Sequence, residues 1–154
     1  MKYGLNFITA YSQFYIKDKN SRGGASWEGS AYEDRLDTTN DVVAIRIETY
    51  GAVHGELIIL TQENREINLD LYDHIVEGSI EINSGILQIT DCPSNTIIKE
   101  INVEPGIYRV RVYSANLNSV VDEDTGDDHY KIEIWQGTLA NTTVIKIHLR
   151  ENGE

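Results

Sequence analysis

The chain has a single cysteine, Cys92, in 154 residues. One thiol closes no internal disulfide, and without a CxxC pair there is no zinc-finger ligand set, so packing alone must hold the fold and a reducing, cytoplasmic compartment is expected. Long apolar runs are missing too. Nowhere do about 18 apolar residues follow one another, so no membrane-spanning helix is expected. Residues 1–10, interrupted by Asn6 and Thr9, are too polar for the core of a secretion signal. Basic charge is scarce: 13 Lys and Arg stand against 25 Asp and Glu, and 13 − 25 gives −12. Such a chain repels phosphate backbones, which argues against direct nucleic-acid binding and for a basic protein partner. Solubility alone also accounts for acidity.

Catalytic signatures are equally lacking. There is no nucleophile elbow, no glycine-rich phosphate loop ending in Gly-Lys-Ser/Thr and no His-Glu-x-x-His helix. The four histidines, His54, His74, His129 and His148, are scattered, and two directly follow an aspartate, at Asp73-His74 and Asp128-His129. Neighbours on a strand face opposite ways, so these pairs make poor orienting dyads. No catalytic residue, no metal ligand and no cofactor is expected from these features. Nor does any ten-residue helical pattern occur, which argues against βαβ architecture.

What is present is alternation. Residues 107–114 place Tyr108, Val110 and Val112 on one face and Arg109, Arg111 and Tyr113 on the other, and residues 129–136 repeat the pattern with Tyr130, Ile132 and Ile134 inward. The two runs are expected to pair as an antiparallel hairpin around a long acidic loop, with Arg109 or Arg111 near Glu133 in a surface ion pair contributing about 0–1 kcal/mol. Further strands are expected at residues 5–16 (with a bulge or bend near Tyr11), 42–49, 56–61, 66–72, 76–82, 85–90, 97–103 and 142–149. A short helical turn is expected at 30–36, where Ser30 and Glu33 fit a capping box. About ten strands with Gly, Asn, Asp and Pro turns between them predict an all-β fold: one antiparallel β-sandwich domain over residues 1–154, with at most one short helix.

The carboxylates fall into groups. The densest is the hairpin loop with Asp122, Glu123, Asp124, Asp127 and Asp128. It reads as solvated charge, as a contact for a basic partner, or as an oxygen cage for calcium with Glu133 at its twelfth position. Against calcium, Gly126 stands where a ligand is needed and Asp127 where the loop needs glycine. A second group is Asp70, Asp73, Glu77 and Glu81, with Glu77 and Glu81 expected together on a solvent face at about 7 Å, near the spacing of phosphates on one DNA strand. Glu28, Glu33, Asp34 and Asp37 form a third. Trp135 falls on the polar side of its strand, as an exposed anchor for a partner or a cap over the sheet edge. Tyr11, Tyr15, Tyr108, Tyr113 and Tyr130 are expected in the core or at its rim.

YSQFYIKD at residues 11–18, Ser26-Trp27 followed by acidic residues, VVAIRIETYG at 42–51, and VEPGIYRVRVYS leading to DDHYKIEIW together resemble the ComJ-type competence proteins, a family of nuclease inhibitors with immunity-like relatives. The resemblance spreads over nearly the whole chain. It implies a small acidic intracellular protein that binds a DNA nuclease or nuclease toxin and restrains it. Carboxylates of the 122–128 loop, or those of residues 70–81, are then expected to enter the nuclease groove, with one exposed aromatic as the anchor. A β-sandwich module that binds carbohydrate or calcium is the alternative, and an enzyme with two carboxylates in one cleft is a third.

Overall fold

The computed structural model describes residues 1–122 and 125–149. The expectations placed on Glu123, Asp124 and the tail from residue 150 lie outside the described residues. Among those described, the chain forms β1 (Lys2–Ile8), β2 (Gln13–Asp18), α1 (Ala31–Asp34), β3 (Leu36–Thr38), β4 (Val42–Arg46), β5 (Ala52–Ile59), β6 (His74–Ile82), β7 (Ile86–Thr90), β8 (Ile97–Asn102), β9 (Gly106–Ala115), β10 (His129–Gln136) and β11 (Thr143–Lys146). Two sheets result, ordered β1-β5-β10-β9-β6-β11 and β3-β4-β2-β7-β8. The expected all-β sandwich with one tiny helix is what forms.

The core lies between the sheets because one face of each strand is apolar. Phe14, Ile16, Val43, Ile45, Leu87 and Ile89 from the smaller sheet meet Leu5, Val53, Leu57, Val76, Val110 and Ile132 from the larger, all buried. Phe7 on β1 packs edge-on against Phe14 on β2, with ring centroids 5.4 Å apart. Such a pair adds about 0.5–1.5 kcal/mol beyond its buried area.

Four expectations are corrected. The stretch 5–16 is not one bent strand. Tyr11 and Ser12 both take φ of 57°, and this tight turn carries the chain from the larger sheet to the smaller. Residues 66–72 form no strand: Leu69–Leu71 is a single 3-10 turn, and Leu69 and Leu71 are exposed rather than inward. The capping box at α1 does not form, because Ser30 Oγ donates to the Asp34 carboxylate instead of bonding the backbone. Finally, the larger sheet is not wholly antiparallel, since β5 and β10 run parallel, Tyr130 opposite Gly55.

That parallel pair explains the covering of the sheet's second face. β5 and β6 both run parallel to β10, and parallel strands need a crossover connection. Residues 60–73 supply it without a helix and lie across β10 and β9. Asn64 contributes its carbonyl to Arg111 and its amide to Glu133, and the Tyr72 ring rests on Tyr113 at 4.8 Å. On the smaller sheet, Ala25 and Trp27 from the 19–30 segment pack on Tyr15, Val42 and Ala44. Each outer face is therefore partly sealed by the protein's own chain.

Candidate protein-interaction site

The polar residues of the β9–β10 hairpin are not on the surface. Arg111 and Glu133 are each 3% exposed in their side chains and lie 3.7 Å apart, so the expected surface ion pair is a buried one. Arg111 Nε donates to Glu77 at 2.8 Å, Arg109 donates to the other Glu77 oxygen, Tyr113 donates to Glu133, and the Arg111 guanidinium stacks over Trp135 at 4.8 Å. Burial raises the Tyr113 hydroxyl pKa well above its ordinary value. Three cations, Arg109, Arg111 and Lys131, thus face three carboxylates, Glu63, Glu77 and Glu133, in a network that holds the crossover to the sheet. A shallow open groove of about 700 Å³ runs beside it, between residues 60–66 and Glu133.

Two of the expected contact residues are therefore structural. Glu77 is 9% exposed and Trp135 is 4% exposed, against the expectation of a solvent face and an exposed anchor. Glu77 and Glu81 also fail the phosphate spacing, because four residues of strand separate them by roughly 13 Å, not 7 Å. Glu81 stands near the far end of β6, roughly 23 Å from His74, where Asn40 donates to it at 3.0 Å.

Asp70, Asp73, Asp122, Asp127 and Asp128 lie towards the other end of the sandwich. There the 9–12 turn, α1, the 47–51 turn, residues 69–73, and residues 116–122 and 125–128 come together. Asp73 is half-buried and accepts from the Leu117 amide at 2.8 Å, while Asp70 beside it is exposed. Asp122 is exposed and caps Thr125 through the Thr125 amide at 2.9 Å and hydroxyl at 3.0 Å. Asp127 is exposed, its amide donating to Ser119 Oγ at 2.7 Å. Asp128 is the exception: it is 2% exposed, and Tyr130 donates to it at 2.6 Å while accepting from the Glu48 amide at 2.7 Å. Asp128 and Glu133, at either end of the expected calcium loop, point into the protein and lie roughly 16 Å apart along the chain. Among the described residues no group of three or more His, Cys, Asp or Glu side chains is placed to hold a metal.

Beneath this end sits His74, fully buried. Its Nε2 donates to the Asp34 carbonyl at 2.7 Å and its Nδ1 accepts from the His148 amide at 2.9 Å, which sets the neutral Nε2–H tautomer. Burial, with Arg35 and His148 nearby, lowers its pKa to about 4, although the Asp34 carbonyl opposes the shift. Arg35, 3% exposed, pairs with Glu48 at 2.9 Å.

Sequence reasoning missed the exposed rings here. Tyr11 is 60%, Tyr32 51% and Tyr50 40% exposed. The break in alternation at Tyr11 reads as a bend within one strand, and alternation says nothing about a side chain on the turn that forms there.

No protein-family model and no curated protein matches the chain. Two solved structures do. One is ComJ from Bacillus subtilis, described as the inhibitor of the DNA degrading activity of NucA: TM-score 0.67, 13% identity, covering 89% of this chain and 99% of that one. The chain has the ComJ fold. The second, the product of crocagin biosynthetic gene J, aligns with a TM-score of 0.55 at 14% identity, over 90% of this chain and 99% of its own. The likeness thus runs over about nine tenths of the chain at low sequence identity.

Proposed function

We propose that this chain is an acidic cytoplasmic protein that binds a nuclease or nuclease toxin and inhibits it, without catalysis or cofactor of its own. The observation that carries this reading is the nearly full-length likeness to ComJ, which inhibits the DNA degrading activity of NucA. The charge agrees with it. A surface that grips DNA is basic, and a protein of net charge −12 meets it with the sign DNA has. Exposed carboxylates such as Asp122 and Asp127 then stand where phosphates would. Opposite charge accelerates association at low salt and does little at high salt.

The test is retention of DNA-degrading activity from an extract of the source cells by the immobilised protein, at low and at high salt. Retention that weakens as salt rises supports the reading. Retention of no such activity at either salt contradicts it.

A further inference from the structure

We propose that the end of the sandwich carrying Tyr11, Tyr32 and Tyr50 is the docking surface, and that it takes an arginine- or lysine-rich face of a protein partner. This rests on the nuclease-inhibitor reading and adds where the contact is made.

Thirteen aromatic side chains are present, and the three that are exposed all lie at this one end. Tyr11 contacts Tyr50 edge-on, with centroids 5.7 Å apart, and Ile8, 72% exposed, adjoins them at the end of β1. Exposed tyrosines with few rotatable bonds are the side chains most often found anchoring interfaces. The patch continues into an open hollow of about 410 Å³ between Ala52 and His54 on one side and Ser119 and Asp127 on the other. Ala52 is the register partner of Ile8, so rings, hollow and the Asp127 wall form one surface.

Charge sets the kind of partner. Glu33, Asp70, Asp122 and Asp127 are exposed around this end, whereas Arg35 and Arg46 are buried. Lys146 lies at the flank, with its ammonium on the Leu69 carbonyl. Tyrosine faces and carboxylates are together what a guanidinium or ammonium seeks. The chain itself supplies an example: the Arg46 guanidinium lies 3.7 Å over the Tyr32 ring. The opposite end of the sandwich has no exposed ring, and both sheet faces are partly covered by the 19–30 and 60–73 segments.

The turn sharpens the point. Tyr11 and Ser12 have φ of 57°, a left-handed conformation that asparagine and glycine adopt far more readily than tyrosine. The backbone of this turn suits asparagine better than tyrosine, so the turn itself does not call for the exposed Tyr11 ring.

The experiment compares four immobilised full-length proteins, wild type, Tyr11→Asn, the double variant Tyr11→Asn/Tyr50→Ala, and Leu139→Ser, an exposed site away from this end. Each is challenged with source-cell extract, retained activity is measured on linear duplex DNA, and each variant's melting temperature is recorded. We expect both tyrosine variants to retain at least tenfold less nuclease, with Tyr11→Asn melting no lower than wild type, and Leu139→Ser to match wild type. Full retention by Tyr11→Asn and by the double variant overturns the docking surface while leaving the inhibitor reading standing. Failure of the wild type itself to retain DNA-degrading activity removes that reading and this inference with it.

Discussion

Arg111 Nε donates to the Glu77 carboxylate at 2.8 Å across the β9–β6 pair, with Arg111 only 2% exposed. The charge that reads in the sequence as a solvent face is here a buried pair within the larger sheet, and the same Arg111 bonds the Asn64 carbonyl and Glu63 of the crossover. A protein of strongly acidic composition thus uses one set of carboxylates to hold itself together and leaves another set exposed at one end.

Removing Glu77 separates these roles. Glu77→Ala leaves Arg111 with Glu133 and Glu63 and takes from Arg109 its carboxylate, and is expected to cost about 3–5 kcal/mol in urea unfolding, the range for breaking a buried pair. Association with a partner at the tyrosine-bearing end should stay within about twofold of wild type under conditions where the variant is folded. An unfolding midpoint equal to wild type would show the network to be incidental.

His74 predicts a pH dependence. Its folded pKa of about 4 lies below the ordinary 6.5 of the unfolded chain. The unfolded state therefore takes up a proton first as pH falls. The stability is fully present above pH 6.5 and declines through the window down to about 4. The loss is about 3 kcal/mol at most. Urea unfolding at steps between pH 7 and 4 checks this, and His74→Gln should flatten the slope across that window.

Gly55 marks the closest approach in the parallel pair. A Cβ at this position would meet the Tyr130 carbonyl oxygen at 1.8 Å, so Gly55→Ala must push β5 from β10. A loss of about 3 kcal/mol or more is expected in thermal or urea unfolding, beyond the usual range for an added methyl group in a strand. Unchanged stability would contradict the parallel pairing.

The hairpin and the apolar faces of the strands were legible in the sequence because period-2 alternation reports which side of a strand is apolar, whereas the phase change at Tyr11 reads as a bend within one strand and is a turn between sheets. It does not report whether the polar side reaches water. Trp135, Glu77 and Arg111 read as surface residues, yet Arg111 lies against Glu77 and Trp135 and is itself covered by Glu63 and Asn64 of the crossover, far away in sequence. For the same reason residues 66–72, whose Ile67, Leu69 and Leu71 alternate, look like a strand and are a crossing loop. The exposed tyrosines were illegible for the opposite reason: they sit on turns and on a four-residue helix, where pattern carries no information about exposure.

Asp122 and Asp127 are exposed, so changing both to Asn should alter folding stability by no more than about 0.5 kcal/mol. If charge steers docking at this end, stopped-flow association with the captured nuclease slows several-fold at low salt, and the difference from wild type closes at high salt. Equal rates at low salt would take these two carboxylates out of the mechanism.

Inhibition itself is the most direct measurement. Nuclease retained from the extract is purified, and its cleavage of duplex DNA is followed while the wild-type protein is added in increasing amounts. The account predicts that cleavage falls steadily and is abolished near one inhibitor per nuclease. Cleavage that continues undiminished at a large molar excess would contradict it, however tightly the two proteins bind.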